Sequence, residues 1–140
     1  KIVCDTNISV SGILWEGKPN RILNLIEQNT VELCTTPKIL TEFERVIYYT
    51  KFRKRIHSLE TSPVQIISFY LSLVTVYKDT ILAEIVVKDD PNDDIFISAA
   101  VSSHADLIIS GDIHLLKLTS YHGIPIITAD EFLKIWLKLT

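Results

Sequence analysis

The sequence predicts an α/β sandwich built on a mostly parallel sheet. Three observations support this. Short, wholly apolar runs such as Ile2-Val3-Cys4 and Leu107-Ile108-Ile109 read as strands buried on both faces. Longer stretches with apolar residues at helical spacing lie between them. The two kinds of segment alternate along the chain, as crossover connections require. The 140 residues, 47% hydrophobic and 22% charged, can bury a core, which a disordered segment could not. No repeat, low-complexity tract or linker interrupts them, so residues 1–140 are expected to form one domain.

In order, Ile2 to Cys4 is the first strand. Pro19 suits a first helical turn, and Ile22, Leu23, Leu25 and Ile26 follow at helical spacing. Val31 to Cys34 is a second strand. In "TTPKILTEFERVI", Thr36 is the expected N-cap, Pro37 opens the helix, and Ile39, Leu40, Phe43, Val46 and Ile47 form its stripe. "SPVQIISFYLSLV" repeats the device with Ser62 and Pro63; Val64, Ile67, Leu71 and Val74 recur on one side, with Ile66 and Tyr70 beside them. Ile85 to Val87 reads as a short edge strand. "DDIFISAAVSSHA" is helical with a small-residue face, Leu107 to Ile109 is a strand, and "HLLKL" begins a short helix. Pro125 to Ile127 is the last strand. "ADEFLKIWLKL" closes the chain, with Asp130 as its expected N-cap.

No apolar run reaches the roughly 18 residues of a membrane span, and the N-terminus has no signal-peptide pattern. The chain contains no Met, so the initiator is absent and a residue or two is expected to have been trimmed. Cys4 and Cys34 lie in strand-like runs, 30 residues apart, which matches small buried hydrophobes in a reducing cytoplasm and no zinc pattern. A net charge of −3 does not by itself point to nucleic acid. The distribution says more: Lys38, Arg45, Lys51, Arg53, Lys54 and Arg55 place six of the 14 basic residues within 18 positions. The four glycines form neither a dinucleotide fingerprint nor a P-loop, and the four histidines show no zinc-ligand spacing.

The acids carry the chemical signal. In an open parallel sheet, ligands bind beyond the carboxyl ends of the strands where strand order reverses. Asp5 ends the first strand, and Asp112 follows "DLIIS" across a Gly turn. Asp93 and Asp94 begin a helix, and Glu42 lies on another beside core positions. Each has an ordinary reading: Asp93 or Asp94 as a cap stabilising its helix by about 1 kcal/mol, Glu42 as a solvated residue. Asp5 resists one, because a carboxylate ending a doubly buried strand is costly unless paired. Several carboxylates in one cleft repel each other, and a hard divalent cation removes that repulsion. Oxygen ligands suit Mg²⁺ or Mn²⁺, which acidify water and offset phosphoryl charge. The chemistry implied is phosphodiester hydrolysis.

"VCDTNI", Glu42 on its helix, "DPNDDIFISAA" and "ADLIISGDIHLL", in that order, resemble the PIN domain family, closest to its VapC-like toxin ribonucleases of toxin–antitoxin pairs. The resemblance implies a three-layer α/β/α sandwich with a central four- or five-stranded parallel sheet. It implies a ribonuclease whose metal-site acids are Asp5, Glu42, Asp94 and Asp112, with Asp93 competing for the Asp94 role. Thr6 and Ser110 would be supporting hydroxyls and Asn7 a polar neighbour. An antitoxin partner and a homodimer are implied in the same way.

Lys51, Arg53, Lys54 and Arg55 are candidates to hold an RNA backbone, or form a solvated loop face; Tyr48, Tyr49 and Phe52 are candidates to stack on bases, or are packing residues. Single-stranded or looped RNA is the expected substrate, because bases in an A-form duplex are poorly accessible. The competing class is a catalytically inactive module that binds RNA or protein, with the acids as caps and surface charges. A phospho-acceptor receiver domain fits poorly, since strand one ends in Asp5 alone and Thr128-Ala129-Asp130 follows the last strand.

Overall fold

The computed structural model describes residues 1–139. Strands β1 (Ile2–Cys4), β2 (Leu33–Thr35), β3 (Val74–Val76), β4 (Leu107–Ile109), β5 (Ser120–Tyr121) and β6 (Ile124–Ile127) form one sheet in the order β3-β2-β1-β4-β6-β5. Five are parallel, within the expected range, and β5 adds a short antiparallel edge. The chain steps outward from β1 to β2 and β3, then returns to β4 on the other side of β1. Strand order therefore reverses between β1 and β4, whose registers pair Ile2 with Leu107 and Cys4 with Ile109. That reversal opens a crevice at the carboxyl ends of both strands.

Alternation along the strands builds two cores. Ile2, Cys4, Leu33 and Ile109 pack on one face with α1 (Thr6–Leu14), α2 (Lys18–Glu27), α3 (Pro37–Ile47), α4 (Thr50–Ser58), α5 (Pro63–Leu73) and α8 (Ala129–Leu139). Val3, Cys34, Ile108 and Ile126 face the other way, toward α6 (Asp94–Ser103) and α7 (Ile113–Leu116). The result is the three-layer sandwich. Ala99 and Ala100 give α6 the small face that lets it lie close to the sheet. Gly12 does the same between α1 and α2: a Cβ there would sit 2.7 Å from Leu23 Cδ1 and 2.9 Å from the Pro19 carbonyl oxygen. Both cysteines are buried free thiols. Among the described residues, no helix is long and apolar enough to cross a membrane.

Several local expectations are corrected. The segment after β1 is helix α1, which carried no amphipathic signal because it buries polar Thr6 and Ser9 alongside Val10 and Leu14. The stripe of α5 is rotated: Ile66 and Tyr70 are buried, whereas Val64 is 66% exposed and Leu71 49%. Tyr70 decides this orientation by stacking on Phe43, with centroids 4.0 Å apart, and by sharing a hydrogen bond with Thr35. The edge strand is β3, not Ile85 to Val87, where the backbone turns to meet a carboxylate described below. The basic segment is a helix, α4, rather than a loop. At α8 the cap is Thr128 instead of Asp130. Thr128 Oγ1 accepts from the Glu131 N–H at 3.1 Å, and Glu131 Oε1 accepts from the Thr128 N–H at 3.2 Å, a reciprocal capping box. Asp130 pairs with Lys18 and Lys134.

Candidate active site

Asp5 leaves β1 at the reversal and caps α1. It is 4% exposed. Its Oδ1 accepts from the Ile8 N–H at 2.8 Å; its Oδ2 accepts from Ser110 Oγ at 2.5 Å and from the Gly111 N–H at 3.2 Å. Ser110 Oγ in turn accepts the Asp112 N–H at 2.9 Å. One hydroxyl thus ties the end of β1 to the end of β4. Asp112 caps α7, with Oδ1 accepting from the His114 N–H at 2.7 Å.

Across the cleft, α3 brings Glu42, whose Oε2 accepts from Thr6 Oγ1 at 2.6 Å. The Pro91–Asp93 turn, a single 3-10 turn before α6, brings Asp93 and Asp90. Oxygens of Asp90, Asp93 and Asp112 all lie within 4.8 Å of one another. Asp5, Glu42, Asp90, Asp93 and Asp112 line one cleft of about 240 Å³.

The electrostatics match the crowding. Burial pushes the Asp5 carboxyl above the ordinary carboxylate range, and its three donors and the Asp112 charge modulate this. Asp93 is pushed up to about 7, first by burial and then by the charges of Asp90, Asp112, Asp5 and Glu42. Asp93 Oδ2 is sealed from solvent and has no hydrogen-bond partner. An unpartnered buried oxygen amid carboxylates is a position of stored repulsion, and an all-oxygen donor set of this kind fits a hard divalent cation.

Of the acids expected at the site, Asp5, Glu42, Asp93 and Asp112 come together. Asp94 does not. Its Oδ2 accepts from the Val86 N–H at 3.0 Å and its Oδ1 from the Val87 N–H at 2.7 Å, in a separate groove with Lys38, Thr80 and Ser98. The expectation ranked Asp94 above Asp93, and the structure places Asp93, not Asp94, in the cleft, because the path of the turn aims the two side chains apart. Thr6 and Ser110 support Glu42 and Asp5 as described, and Asn7 is exposed on the cleft wall.

Asp90 was missed. It stands in the "KDDPNDD" knot, and only the turn at Pro91 folds it back. Arg45 was read only as one of the clustered basic residues, and Tyr49 as a candidate to stack on bases or a packing residue. Both line the cleft, where Arg45 hydrogen-bonds to the Tyr49 hydroxyl and lies 3.6 Å from Glu42 Oε1. Of the basic segment, Lys51 lines the cleft, Arg53 and Lys54 are exposed on α4, and Arg55 is committed elsewhere. Its Nε donates to the Leu14 carbonyl at 2.7 Å and its guanidinium lies over Trp15. Phe52 is buried against Trp15, so it is a packing residue and not a base platform.

The PIN domain family model matches residues 1–114. The chain belongs to the PIN domain family. Members of this family are in general nucleases, and an acidic cleft at the β1/β4 reversal is where this PIN domain concentrates its charge. An uncharacterized protein of Methanocaldococcus jannaschii is 31% identical over 119 residues, covering 84% of this chain and 74% of that protein. The fold is shared with a chain in the crystal structure of VapBC2 from Rickettsia felis bound to a DNA fragment from their promoter. The TM-score is 0.59 at 15% identity, over 89% of this chain and 96% of that one.

Proposed function

We propose that this PIN domain, residues 1–140 acting as one unit, is a metal-dependent endoribonuclease and the toxin of a toxin–antitoxin pair, working in the cytoplasm as a homodimer. The observation that carries the nuclease reading is the cluster of Asp90, Asp93 and Asp112, in which Asp93 keeps one buried oxygen without a partner. Asp93, Asp90 and Asp112 would hold Mg²⁺ or Mn²⁺, with Asp5 and Glu42 adding negative charge in the same cleft. When bound, such an ion supplies an acidified water and offsets charge on the phosphoryl oxygens.

The chain's own residues do the rest. Asp5 and Ser110 fix Asp112 by joining the two strand ends, and Thr6 fixes the Glu42 carboxylate. Preorganised groups lower a barrier because nothing has to reorient as charge develops. Arg45 and Lys51, which line the same cleft, hold phosphates of the strand; Arg53 and Lys54, exposed on α4, extend that positive charge. Tyr49, 37% exposed beside Arg45, offers a surface for a base. An open cleft lined by both acids and cations suits single-stranded or looped RNA. The antitoxin and toxin roles draw on the VapC-like resemblance and on the VapBC2 neighbour, which is solved as a complex with promoter DNA.

The test is cleavage of an unstructured RNA with Mg²⁺ or Mn²⁺, with and without EDTA, by the wild-type protein and Asp5→Asn. Metal-dependent cleavage lost in Asp5→Asn is the expected result. Equal cleavage by both proteins, or cleavage indifferent to EDTA, would end the proposal. RNA binding without cleavage would favour the inactive binding module instead.

A further inference from the structure

We propose that the groove beside the acidic cleft, formed by Ser11 of α1 and Ile113 and His114 of α7, is a nucleoside subsite that seats one base and ribose next to the scissile phosphate. This rests on the nuclease reading and adds the path of the strand. The groove has a volume of about 430 Å³ and shares Asn7 and Asp112 with the cleft, so the two adjoin across those residues. A volume of several hundred Å³ is the size class of small-ligand sites.

The chemistry of the two halves differs. The cleft carries five carboxylates. The groove has only the shared Asp112, plus the Ser11 hydroxyl, the Asn7 amide and the His114 ring, with the apolar side chains of Ile8 and Ile113 beside them. Hydrogen-bonding groups mixed with apolar side chains suit a neutral, flat, hydrogen-bonding unit: a nucleobase with its sugar. Ile113 is a large side chain left 67% exposed at the groove wall, where a base face would cover it. At Gly111 an added Cβ would meet nothing nearer than Ile8 Cδ1 at 4.0 Å, so the backbone there leaves the groove open. Arg45, Tyr49 and Lys51 line the cleft and not the groove, so a strand lying through both presents phosphate to the cations and acids of the cleft, and a base to the groove.

The experiment uses 5′-labelled RNA oligomers of varied sequence with Mn²⁺, read as KM, kcat and the nucleotides flanking each cut, for the wild type, Ile113→Glu, Ser11→Leu and the remote control Ile81→Glu. Ile113→Glu places an anion against the strand, and Ser11→Leu fills the groove from a helix and serves if Ile113→Glu melts early. Both should raise KM about tenfold, equivalent to one lost contact of moderate strength. kcat should change little, and the flanking-nucleotide preference should shift; Ile81→Glu should do neither. Wild-type kinetics and cut sites in both groove variants, with melting temperatures retained, would overturn the subsite, leave the nuclease reading intact, and hand the groove to a protein segment. Absence of RNA cleavage by the wild type would remove both.

Discussion

Asp93 and Asp94 are neighbours in the chain and belong to two different regions of the molecule. Asp94 sits in a groove where two backbone N–H groups meet its two oxygens, so its charge is answered locally and its work is to hold the 86–87 turn against α6. Asp93 sits among Asp90, Asp112, Asp5 and Glu42, with one oxygen sealed and unpartnered. The same side chain one residue apart thus serves folding in one place and stores repulsion in the other. The two differ in their supply of donors: two backbone N–H groups meet Asp94, and none meets the sealed oxygen of Asp93. The proposed cation would offset the charge left unanswered at Asp93.

The largest effect should separate these two residues in the cleavage assay. Asp93→Asn should lower RNA cleavage by about 10²–10³-fold, the range seen when a group stabilising the developing charge is lost. Asp94→Asn, assayed where it remains folded, should retain most activity. If Asp94→Asn proved the inactive one, the comparison would be reversed and the sequence-based ranking of Asp94 restored.

Stability should run the other way. Asp94→Ala leaves two N–H groups without an ionised acceptor and should cost about 2–4 kcal/mol by denaturant melts. Asp93→Asn removes a repelled charge and should raise the metal-free melting temperature at pH 7.5 by about 2–5 °C. A fall on that substitution would mean the carboxylate is structurally satisfied after all.

The pH dependence sharpens the same point. In the fold the Asp93 carboxyl is raised to about 7, against 3.8 ordinarily. Between those values the folded protein holds a proton that the unfolded chain has released, so stability falls as pH rises through that window. The contribution is complete below about pH 4 and lost above about pH 7. Metal-free protein should therefore melt lower at pH 7.5 than at pH 5.5, and the difference should shrink in Asp93→Asn. A metal-free melting temperature that climbs across this window in the wild type and not in the variant would contradict the assignment.

The smallest effect concerns α4. Lys51→Glu should raise KM for RNA several-fold and flatten its salt dependence, because Lys51 faces the cleft. Arg55→Ala should leave the salt dependence unchanged and cost about 1–2 kcal/mol of stability, since its guanidinium is spent on the Leu14 carbonyl and Trp15.

What the sequence made legible followed from periodicity and from chemistry at fixed positions. The apolar runs ending in Asp5 and Asp112 located the strand reversal, because a charge is rarely placed there without a use. Pro37 and Pro63 marked helix starts reliably. The strand at 74–76 and the helix at 6–14 were not legible. Both depend on what covers them: Val76 is an exposed edge residue, and α1 is buried through Thr6 and Ser9 as much as through its aliphatics. The partition of Asp93 from Asp94, and the arrival of Asp90, depend on a single 3-10 turn whose direction no local pattern encodes. Arg45 looked like any helix-face cation until α3 and α4 packed it beside the cleft.

The central claim is that the acids of the cleft are completed by a divalent cation. Calorimetric titration of Mn²⁺ into the metal-free protein at pH 6.5, where Asp93 is largely protonated, tests it directly, repeated in buffers of different ionisation enthalpy to count protons. Binding to the wild type with proton release, greatly weakened and without that release in Asp93→Asn, is the expected result. No heat of binding to the wild type at millimolar Mn²⁺, or identical binding by Asp93→Asn, would contradict it.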